Sequence, residues 1–155
     1  MVDAVSEKKY VLALDQGTTS SRAILFNHNA KKISSSQLEI KLFFPKSGWV
    51  EQDAQELFLT QLTVMKEAVN TSRIDPEEIA AVGIANQRET VILWDKETGV
   101  PVYHAIVWQC RRTASMIEEL SAQGKSELIR KKTGLIPDAY FSATKIRWIL
   151  DNVEG

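Results

Sequence analysis

The run Tyr10–Arg22, Y-V-L-A-L-D-Q-G-T-T-S-S-R, constrains the fold more than any other stretch of the chain. Tyr10–Leu14 is continuously apolar, which reads as a buried central strand rather than one with a wet face. Asp15–Ser20 is a polar turn, and Arg22–Phe26 (R-A-I-L-F) is a second strand. His28–Lys32 turns the chain again. Ile33–Phe43 then alternates, with Leu38, Ile40 and Leu42 on one face and Glu39 and Lys41 on the other, a third strand. Three strands on short turns make an antiparallel meander.

Further along, Pro45–Trp49 reads as a loop. Asp53 and Glu56 have capping-box spacing ahead of Ala54, Leu57, Phe58, Leu62, Met65 and Val69, which predicts a helix near 53–70. Asp75-Pro76-Glu77-Glu78 reads as a second helix start. Ile79–Ala85 reads as a buried strand, Thr90–Trp94 as another, Asp95–Gly99 as the turn after it, and Ala105–Trp108 as one more short strand. Helices are predicted near 111–122, 125–132 and 143–152, with Gly124 and Gly134 as stops for the first two. The expected class is α/β: a mixed sheet of an antiparallel three-strand meander plus parallel strands, flanked by helices.

Composition narrows the function. The 155 residues include 44% hydrophobic and 25% charged residues, ordinary for a packed domain and too apolar for a disordered chain. With 19 Lys+Arg against 20 Asp+Glu the net charge is -1, which argues against nucleic acid as a partner. No apolar run approaches a membrane span. One cysteine, Cys110, forms no intrachain disulfide and suits a reducing compartment, so the expected location is cytoplasmic. The two histidines, His28 and His104, have no metal-ligand spacing and read as turn or surface residues. Met1–Lys9 lacks an apolar core and reads as an N-terminal tail, not a signal peptide.

The turn after the first strand carries chemistry. Gly17 permits positive φ and close backbone approach, and consecutive N–H groups there can form an anion-binding nest. Hydroxyls of Thr18, Thr19, Ser20 and Ser21 add donors for phosphate oxygens, and Arg22 adds charge. Asp15 suits Mg²⁺ held through water. The G-x-x-x-x-G-K-[ST] motif is absent, so this is not a P-loop. Taken alone, a hairpin whose side chains cap its own backbone is an equal reading.

Three more blocks tip that balance: Asn86-Gln87-Arg88-Glu89-Thr90, Ala105–Arg112 (A-I-V-W-Q-C-R-R) and Tyr140–Asp151 (Y-F-S-A-T-K-I-R-W-I-L-D). With the first turn they resemble, in order, the FGGY carbohydrate kinases of the actin–hexokinase–Hsp70 superfamily, and within them the members acting on glycerol. The resemblance runs from about Tyr10 to Gly155. It implies the first part of an actin-like, ribonuclease H-like domain over 10–155, with the second domain absent. It implies a parent protein that moves the γ-phosphate of ATP to glycerol, giving sn-glycerol 3-phosphate and ADP, with Mg²⁺, and that is a homo-oligomer.

The resemblance also assigns roles. Gly17, Thr18, Thr19 and Ser20 meet the ATP phosphates with Arg22 beside them, and Asp15 sits at the metal–phosphate site. Arg88, Glu89 and Tyr140 hold the glycerol hydroxyls, and Trp108 walls its carbon backbone. No catalytic residue is assigned within this chain: the family's general-base aspartate belongs to a later segment. Asp138 is the nearest acid to Tyr140 by sequence and is a poor candidate to replace it. The chain alone is therefore expected to be inactive or nearly so, with apolar surface that favours self-association.

Two departures are visible, Ala139 where the family commonly has Pro and Ala85 where many relatives have Thr. Bland readings stand beside these roles. Arg88–Glu89 alone could be an exposed turn, and Trp108 alone a core aromatic. Trp148 and Ile149 are assigned to packing, Cys110 to a buried apolar position, and Arg111–Arg112 and Arg130–Lys132 to solvated helix faces. Two other functions fit less well: a kinase for another polyol or sugar of the family, and a non-catalytic actin-like module that binds nucleotide or a protein partner.

Overall fold

The computed structural model describes residues 8–154. Along the chain run β1 (Tyr10–Gln16), β2 (Ser20–Asn27), β3 (Lys32–Glu39), β4 (Glu51–Gln52), α1 (Ala54–Ser72), a single 3₁₀ turn (Pro76–Glu78), β5 (Ile79–Ala85), β6 (Ala105–Ile106), α2 (Ala114–Ala122), α3 (Ser126–Thr133) and α4 (Ser142–Asn152). They divide into two compact units. The first takes in residues up to Ile40 and Gln55–Gln87; the second takes in Lys41–Ala54 and the chain from Arg88 on. The expected tail over residues 1–9 lies outside the described residues except for Lys8 and Lys9. Those two are tied down, Lys8 Nζ to the Glu77 carbonyl at 2.6 Å and the Lys9 N–H to the Glu78 carbonyl at 2.8 Å.

In the first unit the sheet order is β3-β2-β1-β5. The first three strands form the expected antiparallel meander, and β5 lies parallel to β1. Leu12 faces Leu25 and Leu14 faces Ala23 across β1 and β2. These four form a core with Val64 and Ala68 of α1. Burying each large aliphatic side chain stabilises by about 1.5–3 kcal/mol. Polar side chains pin the helix to the strands: Ser34 Oγ donates to the Ala68 carbonyl at 2.6 Å, and Gln61 Nε2 to the Arg22 carbonyl at 3.1 Å.

Several expectations are corrected here. β1 is central but buried on one face only: Leu12 and Leu14 are covered, while Val11 is 43% exposed. β5 is a strand but not a buried one. It pairs with β1 along a single edge, and Val82 and Ile84 are 53% and 74% exposed. An apolar run records what a strand is able to bury, not whether a neighbour stands on both sides. The third strand stops at Glu39, short of Phe43. Residues 75–78 form one 3₁₀ turn, capped where Asp75 accepts the Glu77 N–H at 2.9 Å, and the chain passes straight into β5.

The second unit has a smaller sheet, β4 antiparallel to β6. Its core gathers Val50, Val91, Ile106, Val107, Cys110 and Ile149, with Trp148 packed against it, as the packing assignment required. Thr90–Trp94 is not a strand. It makes only isolated bridges, Val91 to Ile106 and Trp94 to Pro101. The turn at Asp95 is as expected, with Asp95 Oδ1 accepting from Glu97 N, Thr98 N and Thr98 Oγ1 at 2.7–3.0 Å. The helical stops also hold: Gly124 and Gly134 have φ of 72° and 76°, and the Gly134 N–H closes α3 on the Arg130 carbonyl.

Arg112 is not on a solvated helix face. Its side chain is fully buried, with the guanidinium carbon 3.9 Å from the Trp49 ring centre and 4.6 Å from that of Trp148. It donates to Glu51 Oε1 at 2.6 Å and to Cys110 Sγ at 3.0 Å. Tyr103 Oη also donates to Glu51 Oε1, at 2.8 Å, and His104 Nδ1 meets Glu51 Oε2 at 3.0 Å. Burial pushes the Glu51 carboxyl up, and the bonds from Arg112, Tyr103 and His104 more than reverse that, holding it below the usual carboxylate range. This cluster anchors β4 to the segment running through β6 toward Trp108. Arg111 is the exposed one of the two, paired with Asp138 at 2.8 Å.

Candidate functional site

The residues expected to meet phosphate lie in the first unit. β1 runs to Gln16 and β2 begins at Ser20, so the turn is only Gly17–Thr19. Its closure is tight. The Gly17 N–H donates to the Ser20 carbonyl at 3.0 Å, and a Cβ on Gly17 would stand 3.0 Å from that same oxygen. Gly17 is not among the positive-φ residues, so close approach is what requires glycine here, not handedness. Outer contacts fix the turn. Gln16 and Gln87 amides donate to the Gly17 carbonyl at 3.4 and 3.1 Å, and the Ile40 N–H donates to that of Thr19 at 2.9 Å.

Of the side chains, Asp15 and Thr19 are exposed, and Thr18, Ser20 and Arg22 are half-buried. Asp15 stands opposite Arg22 in the β1–β2 register. Gln37 spans two of the set, donating to Ser20 Oγ and accepting from Arg22 Nε, both at 3.0 Å. Ser21 is turned inward and fully buried, its hydroxyl engaged with Gln16 at 3.1 Å and Thr60 at 2.8 Å, so it is not a phosphate donor. The alternation of β2 explains this: once the strand starts at Ser20, Ser21 falls on the core face with Ala23 and Leu25.

The residues expected to hold a polyol lie in the second unit; Trp108 and Tyr140 touch, and Glu89 is linked to Tyr140 through Lys145. The Trp108 and Tyr140 rings are 5.8 Å apart at 69°. The Trp108 N–H donates to Thr90 Oγ1 at 3.2 Å. Glu89 Oε2 accepts from the N–H and the hydroxyl of Ser142 at 3.0 and 2.6 Å. Lys145 Nζ donates to the Glu89 carbonyl at 2.8 Å and also to the Tyr140 carbonyl. Glu89 has φ of 62°, unusual for a residue with a side chain. Arg88, beside it in the chain, is exposed. Asp138 accepts the Tyr140 N–H at 2.7 Å and pairs with Arg111. That backbone bond and the guanidinium hold its carboxyl below the usual range, which ill suits a general base.

Ser142 and Lys145 were not singled out from the sequence. The signal was present: a helix start places i and i+3 on one face. An apolar cavity of about 210 Å³ lies among α2, α3 and α4, lined by Ile117, Leu120, Ile129, Leu135 and Phe141. Its walls give a triol few hydrogen-bonding partners. Among the described residues no cluster of three or more His, Cys, Asp or Glu gathers for a metal, and no helix is long and apolar enough to cross a membrane.

A mixed sheet whose first hairpin forms a tight hydroxyl-rich turn, together with a second unit grouping Glu89, Trp108 and Tyr140, defines a class. Residues 10–155 match the N-terminal domain of the FGGY family of carbohydrate kinases, and the chain belongs to that family. Within it, 148 residues are 60% identical to a protein named glycerol kinase from Alkaliphilus metalliredigens (strain QYMF), covering 96% of this chain and 30% of that one. A glycerol kinase from Parabacteroides distasonis is 62% identical over 147 residues, 95% of this chain and 30% of its own. The crystal structure of Plasmodium falciparum glycerol kinase with ADP superposes with a TM-score of 0.85 at 34% identity, over 94% of this chain and 29% of that one. The chain thus spans about 30% of the length of the relatives it matches.

Proposed function

We propose that this chain is the N-terminal part of an ATP-dependent glycerol kinase, which transfers the γ-phosphate of ATP to glycerol to give sn-glycerol 3-phosphate and ADP. The observation that carries the reading is the Trp108–Tyr140 ring contact, with Glu89 linked to Tyr140 through Lys145 in the second unit. A triol needs acceptors, donors and an apolar flank for its carbons. Glu89 accepts, Tyr140 does either, Arg88 donates to two oxygens, and Trp108 covers carbon. Charge-assisted bonds at two hydroxyls orient the third for in-line attack.

On the other side of the reaction, Thr18, Thr19 and Ser20 donate to the phosphates, Gly17 lets them approach, and Arg22 adds positive charge. Phosphoryl transfer asks for this positioning and charge neutralisation more than for covalent chemistry. Asp15 is exposed near the strand end and belongs to no metal-binding cluster among the described residues, which fits Mg²⁺ held mainly by phosphates and water with one protein carboxylate. When bound, Mg²⁺ neutralises charge developing on the transferring phosphoryl group. The reading places the general base outside this chain. It carries with it a cytoplasmic location and a homo-oligomeric longer protein.

The test is a crossed pair of substitutions in the longer kinase. Arg88→Ala is expected to weaken kcat/KM for glycerol by about 1.5–3 kcal/mol, the scale of a hydrogen bond to a charged group, with the KM for ATP little changed. Thr18→Ala is expected to act mainly on ATP. Unchanged glycerol kinetics in Arg88→Ala, or a Thr18→Ala loss confined to glycerol, rejects the assignment. Turnover of a pentulose or another polyol in preference to glycerol moves the reading to a different sugar kinase of the family.

A further inference from the structure

We propose that Lys145, with Ser142 one turn earlier on α4, is a positioning residue that locks Glu89 and Tyr140 into one arrangement. This rests on the reading of Glu89 and Tyr140 as polyol-binding residues. Lys145 is fully buried, and its Nζ donates to the main-chain carbonyls of Glu89 and Tyr140. These carbonyls belong to segments far apart in sequence, so one ammonium group sets the spacing of two residues expected to touch the same small molecule. Its Nζ also lies 5.8 Å from the centre of the Tyr140 ring.

A buried cation is costly, and structures keep one where its hydrogen bonds are satisfied. Burial pushes the Lys145 amine down to about 8, against the opposing pull of Glu89, Cys110 and Asp138, the charged and titratable groups that face it. A leucine or methionine would fill this space without that penalty. What they cannot do is hold two carbonyls in register.

The backbone at Glu89 shows what needs holding. Its φ of 62° is a conformation that side-chain-bearing residues seldom adopt, and it persists only where surroundings over-determine it. Lys145 fixes the Glu89 carbonyl, and Ser142 fixes Oε2 twice, through its N–H and its hydroxyl. Backbone and carboxylate are thereby both constrained, and the second carboxylate oxygen is aimed by the first. The device is one helical face, Ser142 and Lys145 at i and i+3, reading two loops at once.

Steady-state kinetics of Lys145→Met and Ser142→Ala in the longer kinase test this, with the pH–Nζ titration of Lys145 followed by NMR in the 155-residue chain. For Lys145→Met the expected result is a rise of about tenfold or more in KM for glycerol, the loss of one strong hydrogen bond, with the KM for ATP unchanged. Ser142→Ala, which removes a hydroxyl at a half-buried position, is expected to raise the glycerol KM by a smaller factor in the same direction. In the short chain, Glu89 and Tyr140 amide signals are expected to titrate together with the Lys145 amine and to stop doing so in Lys145→Met. A merely structural lysine would spread its loss over ATP, glycerol and kcat alike, and that outcome overturns the proposal. So does an unchanged glycerol KM in a folded variant. Should Lys145→Met fail to fold, Ser142→Ala decides: no shift in glycerol KM sinks the idea. A wild-type protein that does not turn over glycerol rejects the functional reading instead, while the NMR coupling of Lys145 to Glu89 and Tyr140 still reports on the clamp.

Discussion

At the scale of single residues, the second unit depends on one buried charge pair. Arg112 lies between two tryptophans with Glu51 as its charged partner. Removing one member of such a pair leaves the other buried without compensation, which typically costs about 3–5 kcal/mol. Glu51→Ala is therefore expected to lower unfolding free energy on that scale in urea titration, far more than Glu97→Ala on the exposed Asp95 turn. The pH dependence has a definite sign. The Glu51 carboxyl is held lower in the folded protein than its ordinary value of 4.5. Its stabilisation is therefore complete above about that pH and is lost as pH falls through the folded value. Acid unfolding monitored by tryptophan fluorescence is expected to show a shallower limb in Glu51→Gln than in the wild type.

This residue-level picture was only partly written in the sequence. Cys110 sits buried and Arg130–Lys132 exposed, as their types suggest. Arg112 defied its type. Nothing local distinguishes it from Arg111, because what buries it is a cage assembled from Trp49, Tyr103 and Trp148, residues distant along the chain.

At the scale of elements, local chemistry was legible wherever it acts over a few residues. The helix after Asp53 follows from its apolar spacing, and the Asp95 turn and the glycine stops of α2 and α3 from side-chain turn bonds and positive φ. Gly134 gives a quantitative check. It has φ of 76° and open space where a Cβ would stand, so Gly134→Ala meets only backbone strain. The expected loss is about 1 kcal/mol, read as a drop in Tm by differential scanning calorimetry. No change would mean the helix end relaxes without cost. By contrast, Thr90–Trp94 has strand composition but no continuous partner, so it remains a chain of isolated bridges. Strand identity depends on a neighbour, and a neighbour is a tertiary fact.

At the scale of the whole molecule, the turn proposed to meet phosphate lies in one unit and the residues proposed to hold the polyol lie in the other. It spans about 30% of the length of its glycerol kinase relatives. Asp138 is committed to Arg111 and to the Tyr140 N–H, and under the proposed reading Glu89 holds substrate rather than acting as base. The 155-residue chain is accordingly expected to release no ADP from Mg-ATP in response to glycerol. Glycerol-dependent release, abolished in Arg88→Ala, would show that a base operates inside this chain.

The sequence by itself determined the kinds of groups available and most of the local elements. The apolar run of β1, the glycine and hydroxyls after it, and the ordered blocks around Arg88, Trp108 and Tyr140 are all properties of adjacent residues. The tertiary structure decided which of them meet. It turned Ser21 inward by setting where β2 starts, and left β5 as an exposed edge. It buried Arg112, and brought Ser142 and Lys145 of α4 against Glu89 and Tyr140. Periodicity and capping act over one or two turns and are written locally. Burial and the pairing of a lone ammonium with two distant carbonyls depend on closure of the chain over dozens of residues, where only the packed structure fixes the partner.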